Sequence, residues 1–475
     1  MKVLIGNRFG LLVLVALALL AMYGVAGATR PEPARPGPPP RAKVAVQSVT
    51  AVCPGPARAT LSVVTPAQAG QGGAVTVAEL GGKGKPVVAG KPGALWRKKA
   101  ADRSGPVVVT GTGPPAAGLE AAQTTMATAG GDRGLSGVRC VEPSSRAWFV
   151  GPGPAAAADV TLHLTNADSA PAAAQVRIYA GEGPLIGDHG VVVGPGEHQA
   201  VSLKELAPTP LVMAVEVRTS TGRVAAAVHV RLGDGRKGGG LDWLPAAAPP
   251  ATKVVVPGIP GGGGKRELYV AAPGESDAVV TVKAVTEDGS YALKGRETVE
   301  VPAGSVATLD VSSGIASGAA ALMLSAEVPV VAGVVVTGTG SSPDVAFSAG
   351  GPPIGLGSTV ADNGGGSGRT TRLLLTAPEG AAKVRVQVVP ARGQAPPPVD
   401  AAVPAQRTAQ VKLPKVGGEY ALTVTPLPGS GPVYGGRALS ERTGDGPLIT
   451  VQPLALGRAF ALVPPVVDSA VAVLP

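Results

Sequence analysis

The feature that most constrains the fold is a repeat of about one hundred residues. LYVAAPGESDAVVTVKAVTEDG begins at Leu268, and LLLTAPEGAAKVRVQVVPARG begins at Leu373 with the same order of apolar triplet, Ala-Pro turn and alternating β-branched residues. A third copy, WFVGPGPAAAADVTLHLTNADSAPAAAQVRIYAGEG, begins at Trp148. Later landmarks recur in the same order, and their prolines Pro302 and Pro404 are 102 residues apart. A period of this size encodes a whole domain.

Within a copy, apolar residues alternate with polar ones. In AVVTVKAV, which begins at Ala278, Val280 and Val282 are apolar, while Thr281 and Lys283 point to the other side. This period of two is typical of antiparallel strands with one buried and one wet face. About seven such strands per hundred residues, separated by Gly and Pro, favour a two-layer sandwich. We therefore predict an all-β fold of about four tandem immunoglobulin-like β-sandwich repeats.

The N-terminal part is predicted to be a diverged copy. GPVVVTGTGPPAAGLEAAQ, from Gly105, resembles AGVVVTGTGSSPDVAFSAG, from Ala332. The four predicted domains, the last with a C-terminal closing strand, are residues 44–143, 144–250, 251–360 and 361–475. A β-propeller with two blades per period is the alternative. Linker-like runs at 244–253 and 355–371 favour separate domains over a closed ring.

Residues 1–28 have the features of an export segment. Lys2 and Arg8 precede an uncharged stretch that ends in Ala26-Gly27-Ala28, a small-x-small cleavage site. The stretch is also just long enough to span a bilayer, so the segment is a signal peptide or a membrane anchor. In both cases the bulk of the chain lies outside the cytoplasm. The proline-rich residues 29–43 are predicted to form an extended linker, and membrane contact is expected only through the N-terminal segment.

The two cysteines, Cys53 and Cys140, are predicted to form a disulfide, because an even cysteine count in an exported chain is typical of a bridge. A loop of this length predicts a stabilisation of about 4–5 kcal/mol on the loop-entropy model. Neither cysteine belongs to a C-x-x-C motif, which disfavours redox catalysis and zinc binding. On the repeat register the bridge would close the first repeat.

The formal net charge of +9 is thinly spread, and the densest basic run is WRKKAADR. Its residues Trp96, Arg97, Lys98 and Lys99 are candidate contacts for an anionic partner such as a wall polymer, although a solvated loop is the simpler interpretation. No aromatic-plus-basic surface motif accompanies the run, so nucleic acid is not expected as a partner. Trp243, in the glycine-rich GGGLDWLP, is a second candidate contact if it is an exposed anchor.

Motifs that carry chemistry are absent from the sequence. His163 and His229 lie on predicted strands, opposite to apolar neighbours and towards solvent. GDHGVVVGPGEH places His189 and His198 near two carboxylates, but the spacing matches no zinc motif. No G-x-S-x-G elbow occurs, and GGGGK at 261–265 lacks the first glycine and the Ser/Thr of a phosphate loop. We therefore expect a protein that is not an enzyme and that has no metal or other cofactor.

The phrases VCPGP at 52–56, RCVEPSSRAWFVG at 139–151 and VTLHLTNADSAPAAAQVRIYAGEG from Val160 carry a family resemblance. They are similar to those of a family of exported actinobacterial proteins of unknown function, and the resemblance covers essentially the whole chain. It implies no activity, cofactor or catalytic residue. Members are often encoded beside a large membrane glycosyltransferase, which implies a connection to envelope polysaccharide assembly.

The sequence therefore favours a non-catalytic structural or interaction protein of the cell envelope, either membrane-anchored or secreted and associated with the cell wall. The alternative is an accessory module that binds envelope polysaccharide or a membrane glycosyltransferase. The expected partners are accordingly an envelope protein, that membrane enzyme or an anionic wall polymer.

Overall fold

Alternating valine-rich runs become strands throughout the chain. The computed structural model describes residues 2–28, 42–55, 57–65, 72–82, 84–89, 91–102, 104–184, 188–233, 238–315, 317–366 and 368–464. Two compact units are present: Ala45–Ala461, and a smaller one that comprises Met1–Val44 and Leu462–Pro475. Most of the predicted linker, residues 29–41, lies outside the described residues, as do residues 465–475 of the predicted fourth repeat.

The smaller unit contains the helix α1 (Lys2–Ala28). Its segment Phe9–Gly27 is 19 residues long and apolar enough to cross a membrane. A cleaved signal sequence near an N-terminus has the same properties, so the helix fits both predicted roles. Strand β1 (Ala42–Ala45) pairs with β35 (Phe460–Val463) in a two-stranded sheet.

Four β-sandwiches with one common strand order make up the larger unit. In each sandwich, antiparallel strands fill eight positions, a to h, with the order a-f-c-d in one sheet and e-b-g-h in the other. In repeat 1, strands a to h are β2 (Ser48–Cys53), β3 (Thr60–Val64), β4 (Ala74–Glu79), β5 (Val87–Val88), β6 (Leu95–Lys99), β7 (Val107–Thr112), β8 (Glu120–Ala127) and β9 (Gly134–Arg139). A 3₁₀ turn, Pro114–Ala116, follows β7.

Repeat 2 adds a short strand and a helical turn to this plan. Its elements are β10 (Arg146–Pro152), β11 (Ala157–Thr165), β12 (Ala172–Ala180), the additional β13 (Gly183–Pro184), β14 (His189–Val193), β15 (His198–Ser202), α2 (Leu203–Leu206), β16 (Val212–Thr221), β17 (Ala225–Gly233) and β18 (Gly238–Leu244).

In repeat 3, one 18-residue strand, β25, serves as both f and g, so its two sheets are joined. The elements are β19 (Ala251–Ile259), β20 (Arg266–Ala272), β21 (Ala278–Thr286), the additional β22 (Ser290–Ala292), β23 (Thr298–Val301), β24 (Ser305–Asp310), α3 (Ser312–Ile315), β25 (Ala320–Thr337) and β26 (Val345–Ala349).

Repeat 4 follows the common plan without additions. Its strands are β27 (Ser358–Gly365), β28 (Arg369–Ala377), β29 (Ala382–Pro390), β30 (Val399–Val403), β31 (Arg407–Val411), β32 (Gly418–Pro426), β33 (Tyr434–Glu441) and β34 (Leu448–Pro453).

The period-two pattern gives each sheet one buried face. In β21, Val280 and Val282 are fully buried, whereas Thr281 and Lys283 are exposed. The cores consist mainly of valine, leucine and alanine, and Phe149 in repeat 2 is among the few large rings that they contain. The prediction of an all-β fold of sandwich repeats is confirmed, and the described strands do not form a propeller.

The sandwiches also pack against one another in a cycle. Strand a of one repeat contacts the second sheet of the next: β10 contacts β20, β19 contacts β28, and β27 contacts β3. Repeat 1 meets repeat 2 at Gly55, where a Cβ atom would lie 3.5 Å from the Trp243 ring. The four h strands, which we call the axial strands, contact each other in the order β9, β18, β26, β34 and back to β9.

This cyclic packing corrects the linker interpretation. The run at 355–371 contains the largely buried strand β27, so the domain boundary predicted at residue 361 lies inside a strand. The run at 244–253 is short and hydrogen-bonded, since Ala248 N donates to Gly350 O at 2.8 Å. Small residues allow a close approach of neighbouring backbones as readily as they allow chain flexibility. The four repeats therefore belong to one compact unit.

Candidate functional site

Asp344, directly before the axial strand β26, joins all four repeats. Its Oδ2 accepts hydrogen bonds from Leu135 N at 3.0 Å and from Ile449 N at 2.8 Å. The N–H groups of Leu241 and Val345 also favour its charged form. Burial outweighs these donors and raises the pKa of the carboxyl to about 6. The side chain is therefore a buried link between the axial strands.

Two further buried ionisable groups make contacts of the same kind. Asp242, on β18, accepts a hydrogen bond from Gly137 N in repeat 1 at 2.9 Å, and burial raises its pKa well above the ordinary range. Arg133, before β9, donates to Thr443 Oγ1 and Gly446 O of repeat 4, each at 3.0 Å. These groups connect repeats, and their hydrogen bonds are to backbone or hydroxyl groups.

Three histidines and a tryptophan cluster on the second sheet of repeat 2. His163 Nδ1 lies 3.3 Å from His198 Nε2, and the ring centroids of His163 and His229 lie 5.2 and 4.8 Å from that of Trp243. Burial lowers the pKa of His163 to about 3 and that of His229 to about 4. In the described part of the chain, no group of three or more His, Cys, Asp and Glu side chains is arranged to hold a metal ion.

The positions of these rings correct two predictions. His163 and His229 do lie on the face opposite to the core, but both are half-buried. Trp243 is only 6% exposed, so it is not an exposed anchor. The physical reason is the neighbouring repeat: the segment at Gly55 covers His163 and Trp243.

The basic run forms the edge strand β6 rather than a loop. Arg97 Nη1 forms an ion pair with Glu419 Oε1 of repeat 4 at 2.8 Å, so its positive charge is paired across the contact between repeats 1 and 4. Trp96 is half-buried and packs partly against the core, while Lys98 and Lys99 are exposed. Contact of these lysines with an anionic partner stays a prediction.

The predicted disulfide between Cys53 and Cys140 is present, and both residues are fully buried. It joins the end of β2 to the residue that follows the axial strand β9. It therefore connects the first and last strands of repeat 1, as the repeat register indicated.

A cavity of about 360 Å³, which we call the axial cavity, lies where the axial strands end, and all four repeats line it. Its walls are mainly apolar and include Val138, Phe149, Trp243, Leu244, Pro352 and Leu454. The polar side chains that reach it are those of Arg139, Glu142, Gln452 and Arg458. Sequence reasoning missed this site, because each repeat supplies only a few unremarkable residues.

The two arginines of the cavity differ in their partners. Arg139 donates twice to the buried carboxylate of Glu120, at 2.8 and 2.7 Å. Arg458, which is 8% exposed, contacts Glu142 and donates from Nη2 to Cys140 O at 3.3 Å. Its buried Nη1 has no hydrogen-bond partner among the described residues. Burial, together with the charge of Arg139, lowers the pKa of Arg458.

A family model covers most of this architecture. The family of unknown function DUF5719 matches residues 97–414. The chain belongs to this family. No curated protein matches the chain, and no solved structure does.

The DUF5719 match contains repeats 2 and 3 in full and parts of repeats 1 and 4. Asp344, Asp242 and the histidine cluster lie within it. Cys140 lies inside the matched range and Cys53 outside it, while Arg458 follows its end. The axial cavity is therefore built partly from residues beyond the DUF5719 match.

Proposed function

We propose that this protein is a non-catalytic structural or interaction protein of the cell envelope, with its sandwich repeats outside the cytoplasm. The apolar helix Phe9–Gly27 supports export or anchoring. The disulfide fits an oxidising compartment.

The observation that carries this proposal is the use of the buried and half-buried titratable side chains. Asp344 and Asp242 accept hydrogen bonds from neighbouring repeats, and Arg97 pairs with Glu419 of another repeat. The imidazole of His163 packs against an aromatic ring beneath repeat 1. Acid–base catalysis would require such side chains at a cleft. In this protein they make contacts between neighbouring repeats, which supports a structural role.

Cell fractionation combined with N-terminal sequencing of the mature protein tests the location. We expect the protein in the membrane or wall fraction, and a start at Thr29 if the segment before it is removed. Maleimide labelling of denatured protein should modify Cys53 and Cys140 only after reduction. A chain with an intact N-terminus and free thiols, recovered from the cytoplasm, would contradict the proposal.

The second candidate function is an accessory module for envelope polysaccharide or for a membrane glycosyltransferase. It is favoured by an open cleft of about 400 Å³ between repeats 2 and 3, lined by Arg146, Arg177, Glu216 and Glu275. Arg146 pairs with Glu216 and Arg177 with Asp188, and the remaining donors and acceptors of these groups can hydrogen-bond sugar hydroxyls. Against it, Trp148 is 3% exposed and cannot offer a stacking face.

A pull-down from the membrane fraction separates the two functions. Enrichment of a glycosyltransferase or a glycan by the wild-type chain, and its loss in Arg177→Gln, would support the accessory role. Matched Arg392→Gln, an exposed arginine outside the cleft, should leave capture unchanged.

A further inference from the structure

We propose that the axial cavity binds a small organic monocarboxylate with an apolar body. Two features together point to this ligand class. The walls of the cavity are mainly apolar, and one of the lining residues is Arg458, whose buried guanidinium has an unused donor. An apolar cavity with few polar groups is the usual form of a small-molecule site.

The size of the cavity sets the size of the ligand. A volume of about 360 Å³ corresponds to roughly twelve water volumes of about 30 Å³ each. We therefore choose an unbranched chain of about ten carbons, similar in heavy-atom count to these waters, as the probe. The walls contributed by Phe149, Leu244 and Leu454 are fully buried, so filling the cavity removes apolar ligand surface from water without exposing protein surface.

Arg458 determines the charge of the ligand. Its Nη1 is buried and unpartnered among the described residues, and a buried donor without an acceptor costs free energy that a bound oxygen atom would recover. Burial, the largest cause, and the positive charge of Arg139 lower the pKa of Arg458, while the Glu142 carboxylate raises it. An added anion is therefore favourable, and Arg–carboxylate pairing is geometrically suited to this role.

A carboxylate fits better than a phosphate. Arg139 already makes two hydrogen bonds to Glu120, so it contributes no comparable pair of free donors. The carboxylates of Glu120 and Glu142 lie beside the two arginines, and a doubly charged head group would meet them at close range. One unused donor favours one negative charge, and the neighbouring acids disfavour a second.

The half-exposed side chain of Glu142 marks where the cavity reaches solvent. A ligand would enter beside it with its carboxylate close to Arg458 and place its apolar body against the Trp243 ring. Binding should therefore change the fluorescence of Trp243, which lines the cavity.

Isothermal titration of the full chain with decanoate, followed in parallel by tryptophan fluorescence, tests the proposal. We expect saturable binding of one decanoate per chain. Decanol, decylamine and decyl phosphate should each bind at least tenfold more weakly. Absence of saturable decanoate binding overturns the proposal, and so does equal or tighter binding of decanol or decyl phosphate.

Two variants locate the site. Arg458→Gln should weaken decanoate binding at least tenfold and leave decanol binding within about twofold. Ala455→Phe, at a half-buried position of the lining, should remove binding of both probes by filling the cavity. Arg392→Gln is the control and should bind decanoate like the wild type, because Arg392 is exposed and outside the cavity.

Thermal unfolding of each variant checks that the fold is retained. If Arg458→Gln fails to fold, Ala455→Phe still decides the site, because it alters neither charge nor a buried polar contact. Decanoate binding that survives Ala455→Phe would place the ligand elsewhere and overturn the assignment. The measurement uses purified protein, so its outcome is independent of the cellular location proposed above.

Discussion

Replacing Gly258 by alanine should destabilise the contact between repeats 3 and 4. Gly258 lies on β19 with φ +77°, and a Cβ atom there would lie 2.7 Å from the Cα of Gly436 on β33. Folded proteins essentially never place a Cβ so close to backbone. Both glycines belong to strands, so neither backbone can move aside without shifting a sheet.

The expected loss has two parts. A left-handed backbone conformation costs an alanine about 1–2 kcal/mol, and the overlap adds about 1–3 kcal/mol, so the total is about 2–5 kcal/mol for Gly258→Ala. Gly429→Ala is the matched control, because Gly429 has φ +76° and no atom within 4 Å of its Cβ position. It should lose only the backbone part. Gly436→Ala should lose mainly the overlap part.

Thermal unfolding followed by far-UV circular dichroism measures both the loss and the cooperativity. If the 417 residues of the larger unit unfold together, an unfolding entropy of about 2 cal/mol/K per residue makes the shift in Tm about 2–6 °C. If one repeat unfolded alone, its Tm would shift by about four times as much, because about a quarter of the residues would unfold. A Gly258→Ala variant as stable as Gly429→Ala would refute the close contact between the repeats.

Three further predictions concern pH and the disulfide. Asp344→Asn should make the free energy of unfolding fall more steeply as the pH is lowered from 6 to 4. Native Asp344, with its pKa of about 6, binds about one proton in this range that the unfolded chain binds only near pH 4, and the variant loses this stabilising uptake. An unchanged slope in pH-dependent denaturation contradicts this. His163→Gln with His229→Gln should flatten the fall below pH 6.5, because both imidazoles stay neutral in the native state down to a pKa of about 3 or 4 while they are protonated in the unfolded chain; the same titration checks it. Replacing Cys53 and Cys140 by alanine should destabilise repeat 1 by about 4–5 kcal/mol, and unchanged resistance of that repeat to limited proteolysis would argue against this.

The fold within a repeat was predictable, because its cause is local. Alternation such as that between Val280 and Lys283 fixes which face of a strand is buried before any tertiary contact is known. The placement of Cys53 and Cys140 at opposite ends of repeat 1 followed from aligning the copies by their landmarks. The disulfide then required only that the first and last strands of one sandwich meet near their ends.

The contacts between repeats were not predictable from the same pattern. His163 was placed on the outer face of its sheet, but that face is covered by a segment more than one hundred residues away in the chain. Asp344 follows the serines and proline of a turn-like phrase, and nothing in that phrase distinguishes it from a solvated aspartate. The role of such residues depends on strands from different repeats meeting at one place, which local periodicity does not encode.

The divergence of the four copies follows from their meeting at one axis. The four N–H groups that interact with Asp344 belong to Leu135, Leu241, Val345 and Ile449. The residues directly before them, at equivalent positions of the four repeats, are Gly134, Gly240, Asp344 and Leu448. A Cβ atom on Gly134 or Gly240 would lie 2.9 or 2.7 Å from Asp344 Oδ1, so the carboxylate occupies the space that side chains of those two repeats would need. Four aspartates there would overlap and repel one another in a buried site. A cycle of four sandwiches closed by one carboxylate therefore requires unlike residues at like positions.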